Sequence, residues 1–148
     1  MSGLQMPANK GHDGEGLLGR ISTEMVQLMK QYFGKGPTKA KSYFLDDFLI
    51  VVMRGGTTRA EQTMLEAHRE DSVREFRQQF ENEMTGRMTG LIEELTGRKV
   101  INYQSQILFD PDISVELFFF DDLVEQDLLR ETARALTEPH TGAGEAGA

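Results

Sequence analysis

Apolar positions recur along the chain in two rhythms, one near 3.6 residues and one of 2, and their alternation predicts the elements. Ile21, Met25, Leu28, Met29 and Tyr32 share one helical face and predict a helix over 17–33. Gly34-Lys35-Gly36-Pro37 stops it, since glycine takes the left-handed cap and proline cannot continue a helix. Strands are predicted over 39–45 and 48–54, with Asp46-Asp47 at the turn. Thr58-Arg59-Ala60-Glu61 has the capping-box spacing, in which the threonine accepts one backbone N–H and the glutamate another. It opens a connecting helix over 58–69. A second such pattern, Ser72-Val73-Arg74-Glu75, predicts a break before a third helix. Val73, Phe76, Phe80, Met84, Met88, Leu91 and Leu95 are read as its apolar stripe. Strands over 99–109 and 113–120 flank Asp110-Pro111-Asp112, and an acidic helix is predicted over 121–136.

The two helix–hairpin stretches align. Residues 21–54 laid over 84–117 without gaps match Gly34 to Gly97, Lys35 to Arg98, Phe44 to Ile107, Asp47 to Asp110 and Ile50 to Ile113. This predicts a duplication, with halves over 17–54 and 73–120 joined by the helix at 58–69. One helix and one hairpin leave an apolar sheet face bare, so two units must pack together. The expected fold is α+β, a four-stranded, mainly antiparallel sheet with helices on one face. The single domain spans 17–120, between a disordered segment at 1–16 and a low-complexity tail at 137–148.

The strands carry more apolar surface than one layer of helices can use. Residues 48–53 read Phe-Leu-Ile-Val-Val-Met, apolar on both faces, and Phe118-Phe119-Phe120 does the same. A strand with one wet face should alternate. Either the C-terminal helix covers the second face or another subunit does. Large exposed apolar patches are uncommon on monomers, and soluble oligomers are mostly symmetric, so a homodimer is expected.

Composition removes several chemistries. Among 148 residues there is no cysteine, which excludes thiol nucleophiles, disulfides and cysteine-ligated clusters. Three histidines, His12 and His140 in the flanks and His68 beside Arg69 and Glu70, make a histidine-rich metal site untenable, and no metal or cofactor is expected. No apolar run approaches the roughly 18–20 residues of a membrane helix, and no signal peptide is evident, so a cytoplasmic protein without a direct membrane span is predicted. The net charge is −8, with seven acids against two arginines in 121–148. Such acidity argues against nucleic acid as a partner, because phosphate neutralisation dominates that affinity. One window is different: Lys30, Lys35, Lys39 and Lys41 lie in residues 25–45, which hold no acid.

No nucleophile–base pattern is visible, so an enzyme is not expected. Gly34-Lys35-Gly36-Pro37-Thr38-Lys39 lacks phosphate-loop spacing and follows a helix. The better anion candidate is Gly55-Gly56-Thr57-Thr58-Arg59, which leaves a strand and opens a helix, with Lys39 on the paired strand. Two readings of these residues stand at this point: a plain helix cap, or a small-anion sensor holding bicarbonate or a phosphate ester.

The combined motifs resemble a known family. They are Tyr32-Phe33-Gly34-Lys35-Gly36-Pro37-Thr38-Lys39-Ala40, Gly55-Gly56-Thr57-Thr58-Arg59-Ala60-Glu61, Arg69-Glu70-Asp71-Ser72-Val73-Arg74, Leu95-Thr96-Gly97-Arg98-Lys99-Val100 and Asp110-Pro111-Asp112. They are similar to the MpsC-like proteins, the C-subunit family of the bacterial Na⁺-translocating membrane-potential-generating system, formerly a domain of unknown function. The resemblance implies a soluble accessory protein associated with membrane transporter subunits for cations or inorganic carbon. It carries over no catalytic residues.

Overall fold

The computed structural model describes residues 16–121 and 126–137. The chain runs α1 (Gly16–Phe33), β1 (Lys39–Leu45), β2 (Phe48–Arg54), α2 (Arg59–Glu66), α3 (Glu70–Thr96), β3 (Val100–Leu108), β4 (Ile113–Phe120) and α4 (Gln126–Thr137). The strands form one antiparallel sheet in the order β1-β2-β4-β3, with the helices on one side. The expected α+β fold is therefore the observed one.

Strand parity decides the two faces. Ser42 and Phe44 on β1, Leu49, Val51 and Met53 on β2, and Glu116, Phe118 and Phe120 on β4 are buried beneath the helices. Ile21 and Met25 from α1 and Met84, Met88 and Ile92 from α3 close this core. Each large side chain so buried contributes roughly 1.5–3 kcal/mol of transfer free energy. The opposite parity, including Tyr43, Ile50, Val52, Val115, Leu117 and Phe119, makes the second face.

α4 does not cover that second face. Leu129 packs against the core on the helical side, and Thr132 is fully buried there. Its hydroxyl oxygen accepts the Phe44 N–H of edge strand β1 at 2.6 Å. Residues 122–125 of the predicted C-terminal helix, the segment 1–15 and the tail 138–148 lie outside the described residues.

Local expectations fare unevenly. The box at Thr58 forms as read, with Thr58 N donating to Glu61 Oε1 and Glu61 N to Thr58 Oγ1. The second box does not. α3 starts at Glu70, so Ser72 lies inside its first turn, and the break comes from His68 in the left-handed region at φ 60°. Glu70 and Asp71 sit in that first turn, where negative charge complements the helix dipole. Along α3 the predicted Val73, Met84 and Met88 are buried and Phe80, Leu91 and Leu95 pack against the core, but the inward face is wider than the predicted stripe. Val73, Arg77, Glu81, Met84, Met88 and Ile92 face inward, whereas Phe76 is 53% exposed.

Both predicted hairpins form, and their second strands adjoin at the centre of the sheet. Their turns differ: Leu45 pairs with Phe48, but Leu108 pairs with Ile113, so the second turn is two residues longer. The ungapped alignment of the halves does not carry through that turn, and the sheet order alone does not establish a duplication.

Candidate functional site

The segment between β2 and α2 is shaped by one glycine. Gly55 has φ +76°, and a Cβ there would stand 2.4 Å from Thr38 Oγ1. The left-handed backbone and the lack of room both require glycine. The chain then turns so that Gly55 N donates to the Asp112 carbonyl at 3.1 Å and Thr57 N to Asp112 Oδ2 at 2.9 Å. Asp112 comes from the β3–β4 turn, so this contact ties the two hairpins together.

Three backbone donors of the predicted anion cradle are engaged within the chain. Of its backbone donors, Gly55 N and Thr57 N bond to Asp112, and Thr58 N bonds to Glu61. Gly56 contributes its carbonyl, which accepts from Arg77 Nη2 at 3.2 Å. Thr57 is 5% exposed and its Oγ1 has no partner among the described residues. Arg59 is exposed at the start of α2. Lys39 is exposed opposite Arg54 at the edge of the sheet. The lysine that reaches the loop is Lys35, whose Nζ donates to the Thr57 carbonyl at 3.0 Å.

Behind the cap lies a charged network that the apolar periodicity did not reveal. Arg77 Nε and Nη2 donate to Glu61 Oε2 and Oε1 at 2.5 and 2.8 Å, with both side chains buried. The guanidinium also stacks 4.3 Å from the centre of the Phe33 ring. Glu61 therefore serves at once as helix cap and as counter-ion tying α2 to α3, and Arg77 extends the network to α1 through Phe33.

One turn further along α3, Glu81 enters a second acidic group with Glu116, Tyr103 and Ser105. Tyr103 Oη donates to Glu116 Oε1 at 2.5 Å. Burial, then the charge of Glu81, pushes Glu116 up to about 7, partly offset by Tyr103, Ser105 and Arg77. Burial also raises Glu81, opposed by the Ser105 hydroxyl and Arg77. Tyr103 is raised by burial and by Glu116, so it stays a protonated donor. The sequence signal for this group was parity: Glu116 shares its face with Phe118 and Phe120.

Two apolar surfaces remain. One is a groove of about 550 Å³ where the end of α1 meets α2 and α3, lined mainly by Tyr32, Phe33, Met64, Val73, Phe76 and Phe80. The other is the sheet face away from the helices. Among the described residues no helix is long and apolar enough to cross a membrane, and no group of three or more His, Cys, Asp or Glu stands where it could hold a metal ion.

Comparison with known proteins gives the class. A family profile described as "Na+-translocating membrane potential-generating system (MpsC)" matches residues 15–122, which covers every element from α1 to β4. The chain belongs to this family. It is also similar to the uncharacterized protein YrhF of Bacillus subtilis (strain 168), at 26% identity over 102 residues, or 68% of this chain and 84% of that protein. No solved structure matches.

Proposed function

We propose that this chain is a non-catalytic accessory protein of the MpsC family that works in the cytoplasm as a homodimer, beside membrane subunits moving cations or inorganic carbon. The observation that carries the reading is the apolar sheet face, bare of any described element, on a chain of this family. An apolar surface of this kind serves association. The charged groups of the interior support the same reading, because they are engaged in holding elements together: Arg77 with Glu61, Tyr103 with Glu116, and Asp112 with the loop before α2.

The test has two arms. Light scattering at tens of micromolar should give twice the mass of the chain, and a strict monomer refutes the dimer. For the accessory role, the chain is produced with and without membrane subunits of a cation or inorganic-carbon transporter from its own host, and membranes are sedimented. The chain should pellet only when those subunits are present. Equal partition in both cases refutes the association.

A further inference from the structure

The open sheet face has a definite layout. Its centre is formed by Phe48, Ile50 and Val52 on β2 and Val115, Leu117 and Phe119 on β4, paired row by row. The Phe48 and Phe119 rings stack with centroids 5.2 Å apart. Lys39 and Lys41 lie along the β1 edge, and Asn102, Gln104 and Gln106 along the β3 edge. None of the residues of this parity on the four strands is acidic. An apolar centre with a polar border is the anatomy of a protein–protein interface.

We infer that the occupant of this face is a second copy of the chain, stacked sheet on sheet. This rests on the dimeric reading above and assigns its surface. The first argument is size. Four strands about 4.8 Å apart, each of seven to nine residues rising about 3.3 Å, span a face of roughly 500 Å². Two such faces bury about 1,000 Å² before side-chain relief is added, which reaches the lower bound for a specific interface. The second argument is self-complementarity. For either two-fold axis lying between the sheets, the middle strands of one copy rest on the middle strands of the other. Ile50, Val52, Val115 and Leu117 then meet their own kind, and the lysine edge reaches either the amide edge or the far end of its counterpart.

The test places a charge at the centre of the face. Leu117 is only partly buried, so Leu117→Lys can lead its ammonium to solvent in the monomer. Light scattering and circular dichroism are run on wild type, Leu117→Lys and Phe76→Lys, the last altering the groove. The expected result is a dimer for wild type and Phe76→Lys, and a folded monomer for Leu117→Lys, its dissociation constant raised at least 100-fold. A Leu117→Lys protein that still dimerises overturns this surface while leaving the dimer standing. A monomeric wild type overturns both. If Leu117→Lys fails to fold, Ile50→Cys in this otherwise cysteine-free chain is treated with a short bis-maleimide. Efficient cross-linking to a covalent dimer supports the face, and none overturns it. Binding of monomeric wild type to phosphatidylglycerol vesicles, lost in Leu117→Lys, would assign the face to lipid and overturn the proposal.

Discussion

Replacing Glu116 by glutamine tests the buried acidic group directly. Glutamine keeps the size and an acceptor for the Tyr103 hydroxyl, and it removes the ionisation. In the wild-type protein Glu116 titrates near 7, against an ordinary value of 4.5. Tyr103 and Ser105 face it from β3, and Arg77 and Glu81 from α3. Between those two pH values the folded chain holds a proton that the unfolded chain has lost. Wild-type stability is therefore full below pH 4.5, declines as pH rises toward 7, and levels off above it. One pKa unit corresponds to about 1.4 kcal/mol, so the loss amounts to about 3 kcal/mol. Glu116 is 2% exposed, and solvent screening takes little from this figure. Glu116→Gln should match wild type at pH 5 within about 1 kcal/mol and exceed it by about 3 kcal/mol at pH 8, a gain of roughly 10 °C in Tm. Urea titrations of both proteins at half-unit steps from pH 5 to 8 give the difference curve. Glu81 is raised in the same direction and its charge acts on Glu116, so the difference between the proteins reports Glu116 together with its coupling to Glu81. A difference that stays constant across this range, or grows toward acid, refutes the reasoning.

Arg77→Ala should cost about 3–5 kcal/mol, because it strands the buried Glu61 carboxylate, and chemical denaturation reads the loss. Thr58→Ala should cost about 1 kcal/mol through the lost cap. Thermal shifts with bicarbonate, phosphate and sulfate at constant ionic strength decide the sensor alternative: with Asp112 and Glu61 on the loop N–H groups, wild type should show no anion-specific stabilisation. Thr132→Val should cost about 1–3 kcal/mol by leaving the Phe44 N–H without its acceptor, and should speed amide exchange at Phe44.

The elements were legible because each has a local cause. Periodicity gave α1 and the four strands, and side-chain and backbone chemistry at Thr58, Gly34 and Gly97 gave helix ends. The capping reading of 55–59 was legible for the same reason, since Thr58 and Glu61 are three residues apart. What closed the loop was not: Asp112 lies 55 residues from Thr57, and no spacing rule links them. The one miss on α3 has a similar origin: counting only apolar residues selects Phe76 over Arg77, yet Arg77 finds a buried carboxylate on another helix. The apolar second face was readable from residues 48–53, because a strand that serves one face only has no reason to be apolar throughout.

The bond from Phe44 to Thr132 bears on how large an assembly can grow. A bare strand edge invites another strand, and each added chain offers a fresh edge, so growth by that route has no natural end. Here the β1 border is occupied by α4, and the β3 border is irregular between Val100 and Asn102. Propagation sideways is obstructed at both borders. Stacking through the flat of the sheet uses the same surface on each partner and consumes it in the first encounter. On the stacked reading, the architecture ends in a finite pair and not a polymer, and a broad greasy surface is kept without becoming the seed of a fibre.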